Sequence, residues 1–251
     1  MKQAEQSDDG VPAIGPWMEF QNSEARTNLR TVHRSEVIGQ CMLHIDKNPP
    51  KAFTPRMPRS AEDGEDCTIP RVTVSQSLTG CIVGYHRLDG DFLGSQEQSK
   101  DDPFLGGYVI SQLDFDYAIK PNARMVPSGP RSDEYWLVHY SEKTREYIPS
   151  EVGRLFATSC TVETTALGKK ACYVLYLHVN SGKKMLLHDD RILTSGKYRM
   201  ELSYSHDKLP SLSTLTVRCE PVSDEEYLKL KSYTANLLSA DTKNKPLYAE
   251  W

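Results

Sequence analysis

Tyr173-Val174-Leu175-Tyr176-Leu177-His178-Val179 is the stretch that decides the fold. It is dense in aromatic and β-branched side chains, which suit a pleated, half-buried surface. Asn180-Ser181-Gly182 follows and reads as a turn, with Lys184–His188 as the hairpin partner. Further on, Tyr198-Arg199-Met200-Glu201-Leu202-Ser203-Tyr204 alternates apolar and polar residues, the period of a strand with one buried face. Leu215, Val217 and Cys219 repeat that alternation. The segments 172–179, 184–188, 198–204 and 212–219 therefore predict an antiparallel sheet, because their connections are too short for parallel crossovers. Ser223-Asp224-Glu225-Glu226 then has the form of a capping box. Tyr227, Leu230, Leu237 and Leu238 supply the apolar stripe of the helix that it starts.

Working towards the N-terminus, strands are expected near Val152–Glu163, Tyr135–Tyr140, Gly107–Leu113 and Arg71–Ser75, with a weaker one over Leu29–Val37. Ser75 or Ser77 would cap a short helix that runs to about Val83. Between 48 and 70 lies a connection with five prolines and the acidic run Glu62-Asp63-Gly64-Glu65-Asp66. So long a segment without elements of its own is expected to be an ordered wall, its acids facing solvent or pairing with Arg56, Arg59 or Arg71. Asp89–Asp102 reads as a surface loop. Residues 1–25 are polar and read as a flexible arm with an aromatic anchor at Trp17, Met18 and Phe20. The expected organisation is α+β and β-rich: arm 1–25, core 26–163, and a C-terminal antiparallel β-sheet module with one helix over 164–251, with one continuous sheet system as the alternative because no linker marks the boundary.

Composition narrows the function classes. Over 251 residues, 30 Lys and Arg stand against 34 Asp and Glu, a formal net charge of −4. That balance gives no support to counterion-release binding of nucleic acid, which needs a basic face. No run approaches the length of a membrane span, and Met1–Gly10 has no hydrophobic run of a secretory leader. Cys41, Cys67, Cys81, Cys160, Cys172 and Cys219 form no C-x-x-C pair, so neither a zinc site nor a compact disulfide framework is indicated. A cytoplasmic chain with free thiols is the expectation. His188-Asp189-Asp190 and His206-Asp207 read as polar hairpin ends, and no metal is expected. Lys169-Lys170 and Lys183-Lys184, with Tyr173 and Tyr176, read as solvated hairpin ends in preference to a nucleic-acid face.

Three motifs occur in order: His33-Arg34-Ser35 on a strand, Val74-Ser75-Gln76-Ser77-Leu78 at a strand end, and Ser132-Asp133-Glu134-Tyr135-Trp136 entering a later strand. A basic residue, a Ser-x-Ser and a strand-opening Glu in that order resemble the ADP-ribosyltransferase fold, over about residues 29–160. The linking run Phe53–Pro58, Glu65-Asp66 and Ile69–Val72 is similar to small transferase-like proteins of mobile elements.

The resemblance implies a mixed β core and NAD as co-substrate, in the setting of conflict between mobile elements and their hosts. Glu134 would stabilise the oxocarbenium-like state as the nicotinamide–ribose bond breaks. Arg34, with His33 as its rival, would hold the dinucleotide phosphates. Ser75, with Ser77 behind it, would orient Glu134 and the ribose. Ser132 stands where the toxin branch has a second Glu or Gln. That departure counts against arginine modification and leaves other protein or nucleic-acid acceptors open. The competing expectation is a non-enzymatic protein-binding module with a β-rich interaction surface. Convergence of Arg34, Ser75 and Glu134 on one cleft discriminates the two.

Overall fold

The structure is a computed structural model that describes residues 30–58, 63–84, 106–123, 125–127, 132–138, 146–166, 168–205 and 212–230. The expected arm 1–25, the loop 89–102, His206-Asp207 and Leu237-Leu238 lie outside the described residues.

Among the described residues ten strands form one sheet. In chain order they are β1 (Arg30–His33), β2 (Met42–Asp46), β3 (Val72–Ser75), β4 (Gly106–Leu113), β5 (Tyr117–Lys120), β6 (Glu134–Leu137), β7 (Pro149–Thr165), β8 (Gly168–His188), β9 (Arg191–Ser205) and β10 (Thr216–Pro221). Their order across the sheet is β1-β5-β6-β3-β2-β4-β7-β8-β9-β10. Every pairing between these strands is antiparallel, so the first half is not the mixed sheet expected for it. The sheet also runs unbroken through the 163/164 boundary: Glu163 and Thr164 both lie within β7, paired with Lys170 and Lys169 of β8. The fold is β-rich, with α1 (Leu78–Gly84) and a helix over 224–230, α2, beside the sheet.

Asn180-Ser181-Gly182 is not a turn. β8 continues through it to His188, and β9 pairs with both arms of β8. Val179 faces Gly196 and Lys184 faces Thr194, so four β8 residues stand against one β9 residue in a wide bulge. The hairpin turn is Asp189-Asp190, where Asp189 takes φ 48°, a left-handed conformation that Asp tolerates better than most residues. The same small polar residues that make turns also relieve a bulge, which is why composition pointed to the wrong position.

The two faces of the sheet carry separate cores. Leu43, Ile45, Tyr108, Ile110, Leu155, Leu175, Leu177 and Met200 line one face, and α1 packs there through Leu78, Cys81 and Ile82. On the other face Met42, Val72, Val74, Leu113, Tyr135 and Leu137 form a second cluster. Phe156 and Tyr176 meet Tyr227 of α2 in a third. Ser223 Oγ accepts from the Glu226 amide at 3.2 Å, so the expected cap does start α2. Burial of large apolar side chains, about 1.5–3 kcal/mol each, dominates this stability.

Candidate functional site

Ser75 ends β3 and Glu134 opens β6, and the two are directly paired across the ladder. Two motifs about sixty residues apart in sequence thus meet side by side, on the face that carries α1. Both are enclosed: Ser75 is 2% exposed and Glu134 8%. Over Ser75 the enclosure comes from α1. The Ser77 amide donates to Ser75 Oγ at 3.3 Å, and the Gly80 amide donates to Ser77 Oγ at 3.0 Å. Ser77 is therefore the N-cap of α1, and Ser75 braces the turn that enters it. A Cβ on Gly80 would lie 2.1 Å from Ser75 Oγ and 2.6 Å from the Ser132 carbonyl, so the helix backbone sits directly over the serine.

Glu134 is held from the other side. Trp136 Nε1 donates to Glu134 Oε1 at 2.6 Å. The Arg71 guanidinium lies 4.0 Å over the Trp136 ring. Arg71 is ion-paired with Glu65 and donates to the carbonyls of Asp66 at 2.7 Å and Ile69 at 3.1 Å. The acidic end of the Pro-rich segment is thus ordered beside the Ser75–Glu134 pair, and Arg71 is the residue that ties it down.

His33 ends β1, elsewhere in the sheet, and Arg34 opens the 3₁₀ turn that follows it. His33 faces Tyr117 on β5, and Ile119 of β5 faces Trp136 on β6. This places His33 four residues along and two strands across from Glu134, about 13 Å by about 10 Å at ordinary strand spacings. His33 caps a short 3₁₀ turn: its Nδ1 accepts from the Ser35 amide at 3.2 Å, and its own amide donates to Glu36 at 2.8 Å. Arg34 is ion-paired with Asp114. Ser75, Ser77 and Glu134 come together; His33 and Arg34 do not join them.

A polar constellation that the motif reading passed over lies one residue away, on the opposite face. Lys120 pairs with Asp133, whose φ is 52°. Gln76 Nε2 reaches Asp133 at 3.4 Å and also donates to the Tyr135 hydroxyl. The Lys120 ammonium stands 4.0 Å over the Tyr135 ring, a cation–π contact. Burial, helped by the Asp133 charge, pushes the Tyr135 phenol up to about 12 and keeps it protonated. Gln76, Asp133 and Tyr135 stand inside the quoted motifs. Strand alternation was the available signal: a neighbour of a buried strand residue faces the other side.

His188 joins α1 to the β8–β9 turn. The Thr79 hydroxyl donates to the Leu187 carbonyl at 2.9 Å and lies 3.1 Å from His188 Nδ1, while His188 Nε2 is 3.3 Å from Asp189. Thr79 is fully buried, so this Thr–His–Asp series presents no nucleophile to a substrate. Tyr173 and Tyr176 are also buried and offer no stacking platform to a base.

Among the described residues no group of three or more His, Cys, Asp and Glu is placed to hold a metal ion, and no helix is long and apolar enough to cross a membrane. Comparison of the chain with protein-family models, with curated proteins and with solved structures finds no match.

Proposed function

We propose that this chain is a non-enzymatic protein-binding module built on a continuous ten-stranded sheet. One observation carries the reading: α1 lies over Ser75 so closely that the space of the missing Gly80 side chain is filled by Ser75 Oγ. A ribose hydroxyl that is to reach Ser75 meets the chain's own helix there, and Glu134 beside it is buried under its bond to Trp136. The cation that the transferase chemistry needs, Arg34, stands in the 3₁₀ turn after β1, paired with Asp114. The sheet itself offers a mode of recognition. Among the described residues β10 pairs with β9 alone. An edge strand of this kind takes up an extended partner segment through main-chain hydrogen bonds. Thr216, Arg218 and Glu220 are exposed along β10 and would set register and selectivity.

The test is NAD titration by calorimetry, run beside a nicotinamide-release assay on the purified full chain. No saturable heat and no release are expected. Release that disappears in Glu134→Gln overturns the module reading and restores the transferase, with acceptor and setting as first implied. On the binding side, a partner captured by the wild-type chain is expected to be lost in Arg218→Glu with unchanged melting temperature.

A further inference from the structure

Val222 fixes which main-chain groups β10 turns outward. Its amide donates to the Lys197 carbonyl at 2.9 Å, one step beyond the Pro221–Tyr198 pair of the β9–β10 ladder. Hydrogen-bonded and non-hydrogen-bonded pairs alternate along an antiparallel ladder. Glu220, Arg218 and Thr216 therefore turn their main-chain groups inward to β9, and Pro221, Cys219 and Val217 turn theirs outward. Pro221 agrees with this: it has no N–H, and it stands where the ladder to β9 needs none. Cys219 agrees as well, because its carbonyl accepts from the Arg191 side chain, which reaches it from beside the Asp189-Asp190 turn. The side chains of Arg218 and Glu220 are exposed, on the face opposite buried Cys219. Arg218 faces Glu201 across the ladder and Glu220 faces Arg199, so charge alternates both along and across the two strands.

We propose that β10 pairs antiparallel with β10 of a second copy of this chain, about a two-fold axis through Cys219, and that Arg191 is the internal cap with which the second copy competes. Built on the binding-module reading, this pairing makes a second copy the extended segment that β10 takes up. The registers that set outward groups against outward groups put the axis at Val217, Arg218 or Cys219. An axis at Arg218 sets the two arginines directly opposite each other, which is destabilising. An axis at Val217 sets Arg218 against Thr216 and carries Glu220 past the end of the facing strand. With the axis at Cys219, each Arg218 faces Glu220 of the other copy. These pairs are of the non-hydrogen-bonded kind, in which side chains stand closest. The sign then alternates across the whole joint, through Arg199, Glu220, Arg218 of the second copy and its Glu201. Each Cys219 amide donates to the other copy's Cys219 carbonyl, and each Val217 amide to the other copy's Pro221 carbonyl. The interface is isologous and closes on itself. Arg191 already holds the Cys219 carbonyl, so it weakens the pairing; a carbonyl has a second lone pair, so it does not abolish it.

The experiment is sedimentation velocity on the full chain from about 1 μM to about 300 μM, where a reversible dimer is expected to build up. Arg218→Glu and Glu220→Arg each turn attraction into repulsion at both symmetry-related pairs, and each is expected to raise the dissociation constant at least about tenfold. An equimolar mixture of these two variants restores opposite charge at every cross-copy pair and is expected to dimerise again. Arg191→Ala is expected to lower the dissociation constant about threefold. A wild-type chain that stays monomeric throughout overturns the proposal. So does Glu220→Arg that dimerises like wild type, or a mixture that associates no better than its components. Weaker association in Arg191→Ala overturns the capping role. The wild-type series decides the matter if a variant does not fold. A monomeric chain that neither binds NAD nor releases nicotinamide loses this proposal and keeps the module reading, whereas nicotinamide release removes the module reading whatever the oligomeric state.

Discussion

Gly80 and Ser75 share one space: a methyl on Gly80 would approach Ser75 Oγ to 2.1 Å. Neither residue can grow without displacing the other. Gly80→Ala is expected to cost about 1–3 kcal/mol, the range for overpacking a close-packed site. Urea unfolding of the full chain measures it. Ser75→Gly in the same chain should recover part of the loss. Recovery is incomplete because the Ser132 carbonyl, 2.6 Å from the same methyl, is backbone and remains. A Gly80→Ala chain as stable as wild type would mean that α1 moves freely off Ser75, and it would reopen the site to a ribose.

Much of this architecture was legible in the sequence, and the failures have physical causes. The strands expected at 198–204 and 212–219 were visible because apolar and polar residues alternate in them; the second starts only at Thr216, after a turn over 212–214. β2 was not anticipated. Met42 packs on one face of the sheet and Leu43 and Ile45 on the other, so the apolar pair Met42-Leu43 breaks the alternation and only the four residues Leu43-His44-Ile45-Asp46 keep it. β5, only four residues long, is too short to show a period and was not anticipated either. The weak strand over Leu29–Val37 shrinks to β1 because His33 caps a 3₁₀ turn and ends the strand there. The meeting of Ser75 with Glu134 was anticipated as a pair of motifs, but their enclosure was not. Enclosure depends on where α1 folds back, and a serine that caps a helix is the same residue in sequence as a serine that binds a ligand.

Glu134 and Trp136 lie on the same face of β6, and the indole N–H donates to the carboxylate. Glu134→Gln keeps an acceptor oxygen in place and is expected to melt close to wild type. Glu134→Leu leaves the buried indole donor without that partner, which costs about 1–3 kcal/mol. A denaturant midpoint comparison of the two variants reads the difference. A larger loss in the Gln variant than in the Leu variant would show that the carboxylate charge, and not its oxygen, is what the fold needs.

Arg71 is a buried cation whose carboxylate partner comes from the Pro-rich segment. Its side chain is 2% exposed and that of Glu65 10%. Removing one member of such a pair leaves a charge stranded in the core, at about 3–5 kcal/mol. Glu65→Ala should therefore lower the melting temperature sharply, whereas Lys47→Ala at an exposed position should not. The double variant Glu65→Met with Arg71→Met is expected to recover most of the stability, since an apolar pair carries no desolvation cost. Failure of the double variant to recover would place the weight on the Asp66 and Ile69 carbonyls that Arg71 also serves.

Tyr227 decides whether α2 belongs to the fold or is an appendage of it. Its ring is 5% exposed, meets Phe156 edge-on at 5.4 Å and lies under Lys197 Nζ at 5.2 Å. Lys197 in turn pairs with Asp224 of the same helix at 2.9 Å. That ion pair is largely solvent-facing on the Asp side and contributes little. The aromatic contact is the one that matters, and Tyr227→Ala should cost about 3 kcal/mol or more, as for other large aromatic truncations in a core. Leu228, the next residue, is 54% exposed. Leu228→Ala removes little buried surface and should shift the melting temperature far less than Tyr227→Ala. Truncation after Pro221 removes Tyr227 and uncovers Phe156 and Tyr176 together, so the shortened chain is expected to melt lower or to aggregate. If it instead melts like the full chain, α2 is detachable, and the Phe156–Tyr176 surface becomes a second place where the module can receive a partner.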